Sequence, residues 1–342
     1  MNIEEMITTP CSELKKLDET ERWHIAKEVA LYYQAKGFPY FSLTLEQRCE
    51  IAIKMWKFNI NSLELPDNEI QQNMLGLNLV NFYHPQMWSV PCGTSPTPLT
   101  VFWDDELLTK AIFKRINNSD TKLQPFNIRK AIQVFGGYRV SNFRPTVAKY
   151  IYEKYCPKGG VVLDPCAGYS GRLLGALASS TVASYVGYDP DKRQIMGGVR
   201  LFEDVMPAIP KVIMDVDLWQ MPFEESQIES QQFDLVFTSP PYFDKEMYSD
   251  DHTQSYVRFP TYEQWADGFL FTLISNSYCA LKNGGYFAIN VAGKEIIRDT
   301  LQYATNLFGE PVVTKKMRLS KVLGHGDTGT FKLENIYIFQ KL

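Results

Sequence analysis

The stretch Val161-Val162-Leu163-Asp164-Pro165-Cys166-Ala167-Gly168-Tyr169-Ser170-Gly171-Arg172 decides how this chain folds. Val161 to Leu163 reads as a short buried strand, and Gly171 to Ser179 as the helix that follows it. A glycine-bearing loop joins the two. In an open α/β sheet, the crevice outside the carboxyl end of such a strand is where ligands bind. Gly168 and Gly171 are expected to let the backbone approach a ligand where a side chain would collide. The full Gly-x-Gly-x-x-Gly spacing is absent, so a pyrophosphate is not implied.

Working outward, the chain from about residue 144 alternates helices with short strands. Helices are predicted over Pro145 to Tyr155, Asp191 to Val205, Tyr262 to Leu281 and Lys294 to Leu307. Strands are predicted over Tyr185 to Tyr188, Lys211 to Met214, Phe233 to Phe237 and Tyr286 to Val291. Asn283-Gly284-Gly285 reads as a left-handed cap closing the long helix. Val312 to Leu319 and Ile336 to Gln340 read as an antiparallel edge hairpin around a glycine-rich connection, Gly324 to Gly329. This alternation predicts an α/β fold: a doubly wound, mostly parallel sheet with helices on both faces. Residues 1 to about 130 read differently. Glu19 to Lys36, Thr44 to Phe58 and Asp104 to Ile116 are expected helices, with Thr44 and Gln47 forming a capping box. Aromatic, loop-rich stretches lie between them. The predicted division is therefore a mainly helical region, 1–130, for target recognition or an accessory role, and a catalytic domain, 131–342.

Acids end the expected strands. Asp189 follows Tyr188, well placed to accept bonds from two ribose hydroxyls. Asp215-Val216-Asp217 closes the expected third strand, with Asp217 the candidate acceptor for an adenine amino group. Beyond the strand Phe233 to Phe237 comes Ser239-Pro240-Pro241-Tyr242. Two prolines lock two φ angles, and Pro241 pushes Pro240 out of the α region, so this turn is stiff. The Ser239 hydroxyl and nearby carbonyls can accept hydrogen bonds from an NH2 group, and Tyr242 offers a ring face for stacking. Phe243 to Ser255 is a long polar and aromatic stretch, expected to close over a bound substrate.

Composition narrows the class. The 342 residues are 45% hydrophobic, with a formal net charge of −4. That charge does not suit a protein coating nucleic acid nonspecifically, but permits one that touches a short site. No apolar run is long enough for a membrane span. The start lacks the features of a signal peptide. Six cysteines without a Cys-x-x-Cys pair, and four histidines, argue against structural zinc and for a reducing, cytoplasmic setting.

The order of these motifs resembles the S-adenosylmethionine-dependent amino-methyltransferases of DNA. Asp164-Pro165 through Gly171 looks like their cofactor loop, and Ser239-Pro240-Pro241-Tyr242 like their catalytic tetrapeptide. The resemblance spans roughly residues 140–342. It implies a Rossmann-like methyltransferase sheet. It also implies that S-adenosylmethionine is held by Asp164, Pro165, Ala167, Gly168, Gly171, Asp189 and Asp217. Arg144, from the segment Phe143-Arg144-Pro145, is expected on the methionine end. The partner implied is DNA, at a short specific site with one base flipped into the pocket. Ser239 and the Pro240 carbonyl would hold the amino group, and Tyr242 with Phe243 would stack on the base. Tyr248 and Arg318 are further expected substrate contacts. The resemblance requires no metal and no covalent enzyme intermediate. Cytosine C5 chemistry would need a Pro-Cys nucleophile. Pro165-Cys166 lies inside the cofactor loop, where its thiol is expected to pack, and Pro91-Cys92 lies outside the resemblance. Ser239 leans toward N4 of cytosine, since relatives acting on N6 of adenine more often carry Asp there, a stronger charge-assisted acceptor. Adenine remains an alternative. So do RNA and protein glutamine amides, whose enzymes usually carry Asn at that position.

Overall fold

The structure of the protein is a computed structural model. It describes the chain apart from Phe135, Tyr138, Arg139, Val212, Ile213 and 322–330, and the side chains of Ser320 and Lys321. The glycine-rich connection Gly324 to Gly329 therefore lies outside the described residues, as does the middle of the expected strand Lys211 to Met214. Among the described residues, eight strands form one sheet: β1 (Glu69–Ile70), β2 (Gly160–Asp164), β3 (Val182–Tyr188), β4 (Asp215–Trp219), β5 (Phe233–Thr238), β6 (Leu281–Asn290), β7 (Val313–Lys321) and β8 (Phe331–Gln340). Their order is β1-β7-β8-β6-β5-β2-β3-β4. Only β8 runs against its neighbours β6 and β7, and the other pairings are parallel. This is the doubly wound, Rossmann-like sheet with an antiparallel C-terminal hairpin that the sequence predicts.

The period of two explains why the central strands are almost wholly apolar. Val162, Leu235 and Phe237 join one core layer with Tyr152, Leu174 and Tyr185. Leu163 and Val236 face the other, with Trp265, Leu273 and Phe287. Strands covered on both faces by helices have no solvent side on which to place polar residues. The direction of winding reverses between β2 and β5, which are adjacent, so their carboxyl ends flank the crevice where such sheets bind ligands.

Several boundaries differ from expectation. The expected third strand closes at Asp215 to Asp217, but β4 begins at Asp215 and ends at Trp219. Its residues alternate exposed and half-buried at the sheet edge, a pattern that does not read as a buried strand. The long helix is continuous from Tyr262 to Ala280 but changes type within: Tyr262–Trp265 leads into a π-helical stretch, Ala266–Phe271, then Thr272–Ala280. A Cβ on Gly268 would lie 2.3 Å from the Phe259 ring, so this stretch is pressed against an aromatic edge. Asn283-Gly284-Gly285 is not a helix cap. It lies in a bulge of β6, between the pairs Phe233–Leu281 and Leu235–Tyr286, with Gly284 at φ +81°.

The chain forms two compact units, and the division is not a single cut near residue 130. One comprises Met1–Ser42, Pro85–Ser141 and Lys245–Tyr248; the other comprises Leu43–His84, Asn142–Asp244 and Ser249–Leu342. Leu43–His84 belongs with the sheet for physical reasons. The capping box of Thr44 and Gln47 starts the helix Leu45–Lys57, and buried Lys149 ends it. The Lys149 ammonium donates to the carbonyls of Met55, Trp56 and Phe58 at 3.0, 2.7 and 2.9 Å. β1 then adds to the sheet edge beside β7. The first unit is mainly helical. Its helices Glu19–Lys36 and Asp105–Asn118 pack through Trp23 and Phe113, and Phe38, Trp88 and Phe102 form an aromatic cluster. No helix among the described residues is long and apolar enough to cross a membrane.

Candidate functional site

At the carboxyl end of β2 the loop is held from beneath. Asp164 is fully buried and accepts from Arg172 at 2.8 and 3.1 Å, from the Tyr185 hydroxyl at 2.7 Å and from the Cys166 amide at 3.3 Å. Arg172 also donates to the Cys166 carbonyl. Asp164 was expected to face the cofactor; its hydrogen bonds instead run inward, to side chains and to the loop's own backbone. Arg172 and Tyr185, not singled out in the sequence, complete this network. Pro165 is buried, and the Ala167 amide donates to the Tyr188 carbonyl at 2.7 Å, tying the loop to the end of β3.

The two glycines serve different ends. Gly168 has φ +56°, and a Cβ there would meet only the Cys166 carbonyl, at 3.7 Å, so the loop is open on that side. At Gly171 a Cβ would lie 2.1 Å from the Phe143 carbonyl and 2.5 Å from Asn142 Oδ1. The close approach at Gly171 is thus made by the protein's own segment, not left for a ligand. Asn142 also donates to the Tyr169 carbonyl at 2.8 Å.

Asp189 stands just past the end of β3, as expected. It accepts from the Gly168 amide at 2.9 Å and from the Asp191 amide at 2.9 Å, one on each oxygen. The residue keeps some exposure, yet its carboxylate is enclosed, and burial pushes its pKa up to about 7 against the pull of those two amides. Asp217 does not end a strand. It lies mid-way along β4, exposed, paired with Val186, and β4 finishes at Trp219. Arg144 is buried and donates to the Arg318 and Leu319 carbonyls of β7. Arg318 itself pairs with Glu69 at 2.6 Å and lies over the Phe331 ring. Both arginines, expected at the cofactor and substrate, are engaged along the β7 edge.

Beyond β5, the tetrapeptide is fastened at both ends. The Ser239 hydroxyl donates to Asn290 Oδ1 at 3.2 Å, and Asn290 Nδ2 donates to the Asn335 carbonyl at 2.9 Å. Tyr242 donates its hydroxyl to Glu334 at 2.5 Å. Pro240 is buried and Pro241 half-buried. Phe243 follows at φ +57°, a conformation that a bulky residue adopts only when held there. Its ring packs on Tyr262 and Trp265, at 5.9 and 5.8 Å between centroids. Tyr248 belongs to the helical unit, where it donates to Glu246. Burial raises the Cys166 thiol well above its usual range and the Cys92 thiol to about 11, so neither is a ready thiolate.

The sequence also passed over His84. Its fully buried imidazole lies 2.8 Å from the Ser170 hydroxyl and edge-on to the Tyr169 ring, with a further hydrogen bond to Gln194. Ser170 has φ +62°, so His84 anchors the strained residue of the loop. Burial drives the His84 pKa down to about 3. The folded protein therefore refuses a proton that the unfolded chain accepts near pH 6.5. Stability from this group is present above about pH 6.5 and is lost as pH falls toward 3. In thermal melts from pH 7.5 to 4.5, His84→Gln is expected to shed this acid-dependent part of the loss; parallel pH profiles in both proteins would refute it.

No protein-family model matches the sequence, and none of the curated proteins matches it. Solved structures are similar at low identity. The tRNA (m1A58) methyltransferase of Aquifex aeolicus is 12% identical, with a TM-score of 0.40, over 59% of this chain and 71% of its own. An S-adenosylmethionine-dependent O-methyltransferase of Thermotoga maritima is 13% identical, with a TM-score of 0.38, over 62% and 70%. The 16S rRNA N2 G1207 methyltransferase of Thermus thermophilus is 14% identical, with a TM-score of 0.37, over 59% and 44%. These likenesses carry no assignment of substrate to this chain.

Proposed function

We propose that this chain transfers a methyl group from S-adenosylmethionine to the exocyclic amino group of a DNA base flipped into the crevice, with N4 of cytosine the favoured target. The reading rests on one observation. At the switch point of the sheet, the Ser239 hydroxyl spends its proton on Asn290 and so keeps its lone pairs for an incoming N–H. The residues present suit the cofactor. Gly168 leaves open space above the loop, and each Asp189 oxygen, carrying one amide, retains acceptor capacity for a ribose hydroxyl. When bound, the cofactor supplies a methyl group on a positively charged sulfur. The protein's part is to hold the amino group with Ser239 and the Pro240 carbonyl, and to stack the base on Tyr242. The helical unit is assigned the reading of the target site.

The test is transfer of tritiated methyl to plasmid DNA and, in parallel, to total RNA, followed by modification-sensitive sequencing of the DNA. Label on cytosine N4 is expected. Label on adenine N6, or on tRNA and rRNA alone, would move the substrate assignment, and no transfer to any nucleic acid despite cofactor binding would sink it. Tyr242→Ala is expected to lower transfer about 10- to 100-fold by removing a stacking face, while cofactor affinity in a calorimetric titration stays unchanged. Ser239→Ala should fall in the same direction.

A further inference from the structure

We infer that Asn290 is a positioning and specificity-determining residue: it keeps the Ser239 hydroxyl an acceptor, so that the site takes an amino donor and leaves the nitrogen lone pair free. The inference rests on the amino-transfer reading above and deepens it. Asn290 ends β6, and the pairing of Thr238 with Ile289 sets Ser239 and Asn290 side by side at the ends of adjacent strands. Its orientation is fixed by chemistry. The Asn335 carbonyl accepts only, so the Asn290 amide nitrogen must face it, at 2.9 Å. Oδ1 is then left facing Ser239, at 3.2 Å. With Asn290 only 2% exposed, water has little access to its amide.

The consequence is chemical. In methyl transfer the nitrogen lone pair forms the new N–C bond, the C–S bonding pair leaves with sulfur, and the surplus N–H proton passes to water. A serine hydroxyl free to rotate can donate to that same lone pair and tie up the electrons that must attack. A hydroxyl whose proton is committed to Asn290 can only accept from the N–H. Glu334, next to Asn335 on β8, holds Tyr242, so the C-terminal hairpin fastens both ends of the tetrapeptide.

Asn290→Leu, Asn290→Ala and Asn290→Asp in the full-length chain, each with and without Ser239→Ala, test this by tritiated methyl transfer to plasmid DNA. Asn290→Leu is expected to lower kcat on the order of 10-fold, the effect of one misdirected hydrogen bond, with cofactor affinity unchanged. Asn290→Asp, whose carboxyl when protonated can both accept from Ser239 and donate to Asn335, is expected to recover most of that loss. In the Ser239→Ala background, Asn290→Leu should cost nothing more. Should Asn290→Leu fail to fold, Asn290→Ala takes its place in the same cycle. Equal losses in the leucine and aspartate variants, additive losses with Ser239→Ala, or a weakened cofactor in place of a lower kcat would overturn the inference. Absence of transfer by the unaltered protein would overturn both the inference and the function it rests on.

Discussion

Arg172→Leu is expected to lower the unfolding free energy by about 3–5 kcal/mol, the usual cost of removing one partner from a buried ion pair. Asp164 has no exposed surface, and its partner Arg172 is 4% exposed. The pair is bidentate, at 2.8 and 3.1 Å, and Tyr185 supplies a third donor at 2.7 Å. Without the guanidinium the carboxylate stays buried with one hydroxyl and one amide, too little to offset its lost hydration. The same arginine donates to the Cys166 carbonyl and lies over the Phe143 ring, so the loop above and the segment beside it lose support together. Urea unfolding followed by circular dichroism measures the change. Removing both charges in Asp164→Asn with Arg172→Leu should restore part of the loss. Should the double variant be less stable than Arg172→Leu by the full cost of a second independent substitution, the penalty does not come from an uncompensated charge.

That network also shows what could be read in the chain beforehand. Strands buried on both faces announce themselves as apolar runs, and Val161 to Leu163 and Phe233 to Phe237 were legible for that reason. Capping chemistry is local, so Thr44 with Gln47 marked a true helix start. The end of the third strand was missed because β4, at the sheet edge, alternates exposed and half-buried residues, and the apolar pattern stops at Met214. Asp217 inherited that error. The membership of Leu43–His84 depends on Lys149 reaching three carbonyls far away in sequence, which no local pattern reveals.

The site divides in the same way. The places of Gly168 and Asp189 in the fold, a left-handed turn and a strand end, were legible because local pattern dictates them. Gly171 looked the same as Gly168 in sequence, yet one faces open space and the other faces Asn142 and Phe143. Arg144 and Arg318, expected at the cofactor and at the substrate, are engaged at β7: Arg144 donates to its carbonyls, and Arg318 pairs with Glu69. His84 and Asn290 were invisible because each acts through one distant hydroxyl, Ser170 or Ser239. A lone His before a proline and an Asn at a strand end carry no signal of their own; the partner hydroxyls, both in recognised motifs, were the place to look.

Asp189→Asn is expected to weaken S-adenosylmethionine on the order of 100-fold, two hydrogen bonds to a charged acceptor being exchanged for poorer ones. Its effect on stability should depend on pH. The carboxyl's pKa is about 7 in the folded protein and near 4 in the unfolded chain. A raised value means the folded state holds the proton more tightly, so this group's stabilising contribution is complete below about pH 4 and is lost as pH rises through about 7. At pH 8 the enclosed, ionised carboxylate is a cost that the free protein bears, and the asparagine variant escapes it. Because the asparagine nitrogen must face one of the two backbone amides that the carboxylate accepts, Asp189→Asn should lose stability, but by less at pH 8 than at pH 6, while binding cofactor far more weakly. The same titration predicts that cofactor affinity of the unaltered protein declines as pH drops below about 7, since the ionised form is the better acceptor for ribose hydroxyls. Calorimetric titrations at pH 6 and 8, with melts of the free proteins alongside, separate these effects. A variant that binds cofactor normally would place the ribose elsewhere. An affinity independent of pH would mean that the bound carboxylate is not the group that titrates. If both effects appear, a carboxylate that destabilises the empty crevice is kept there because the ligand, not the fold, supplies its missing partners.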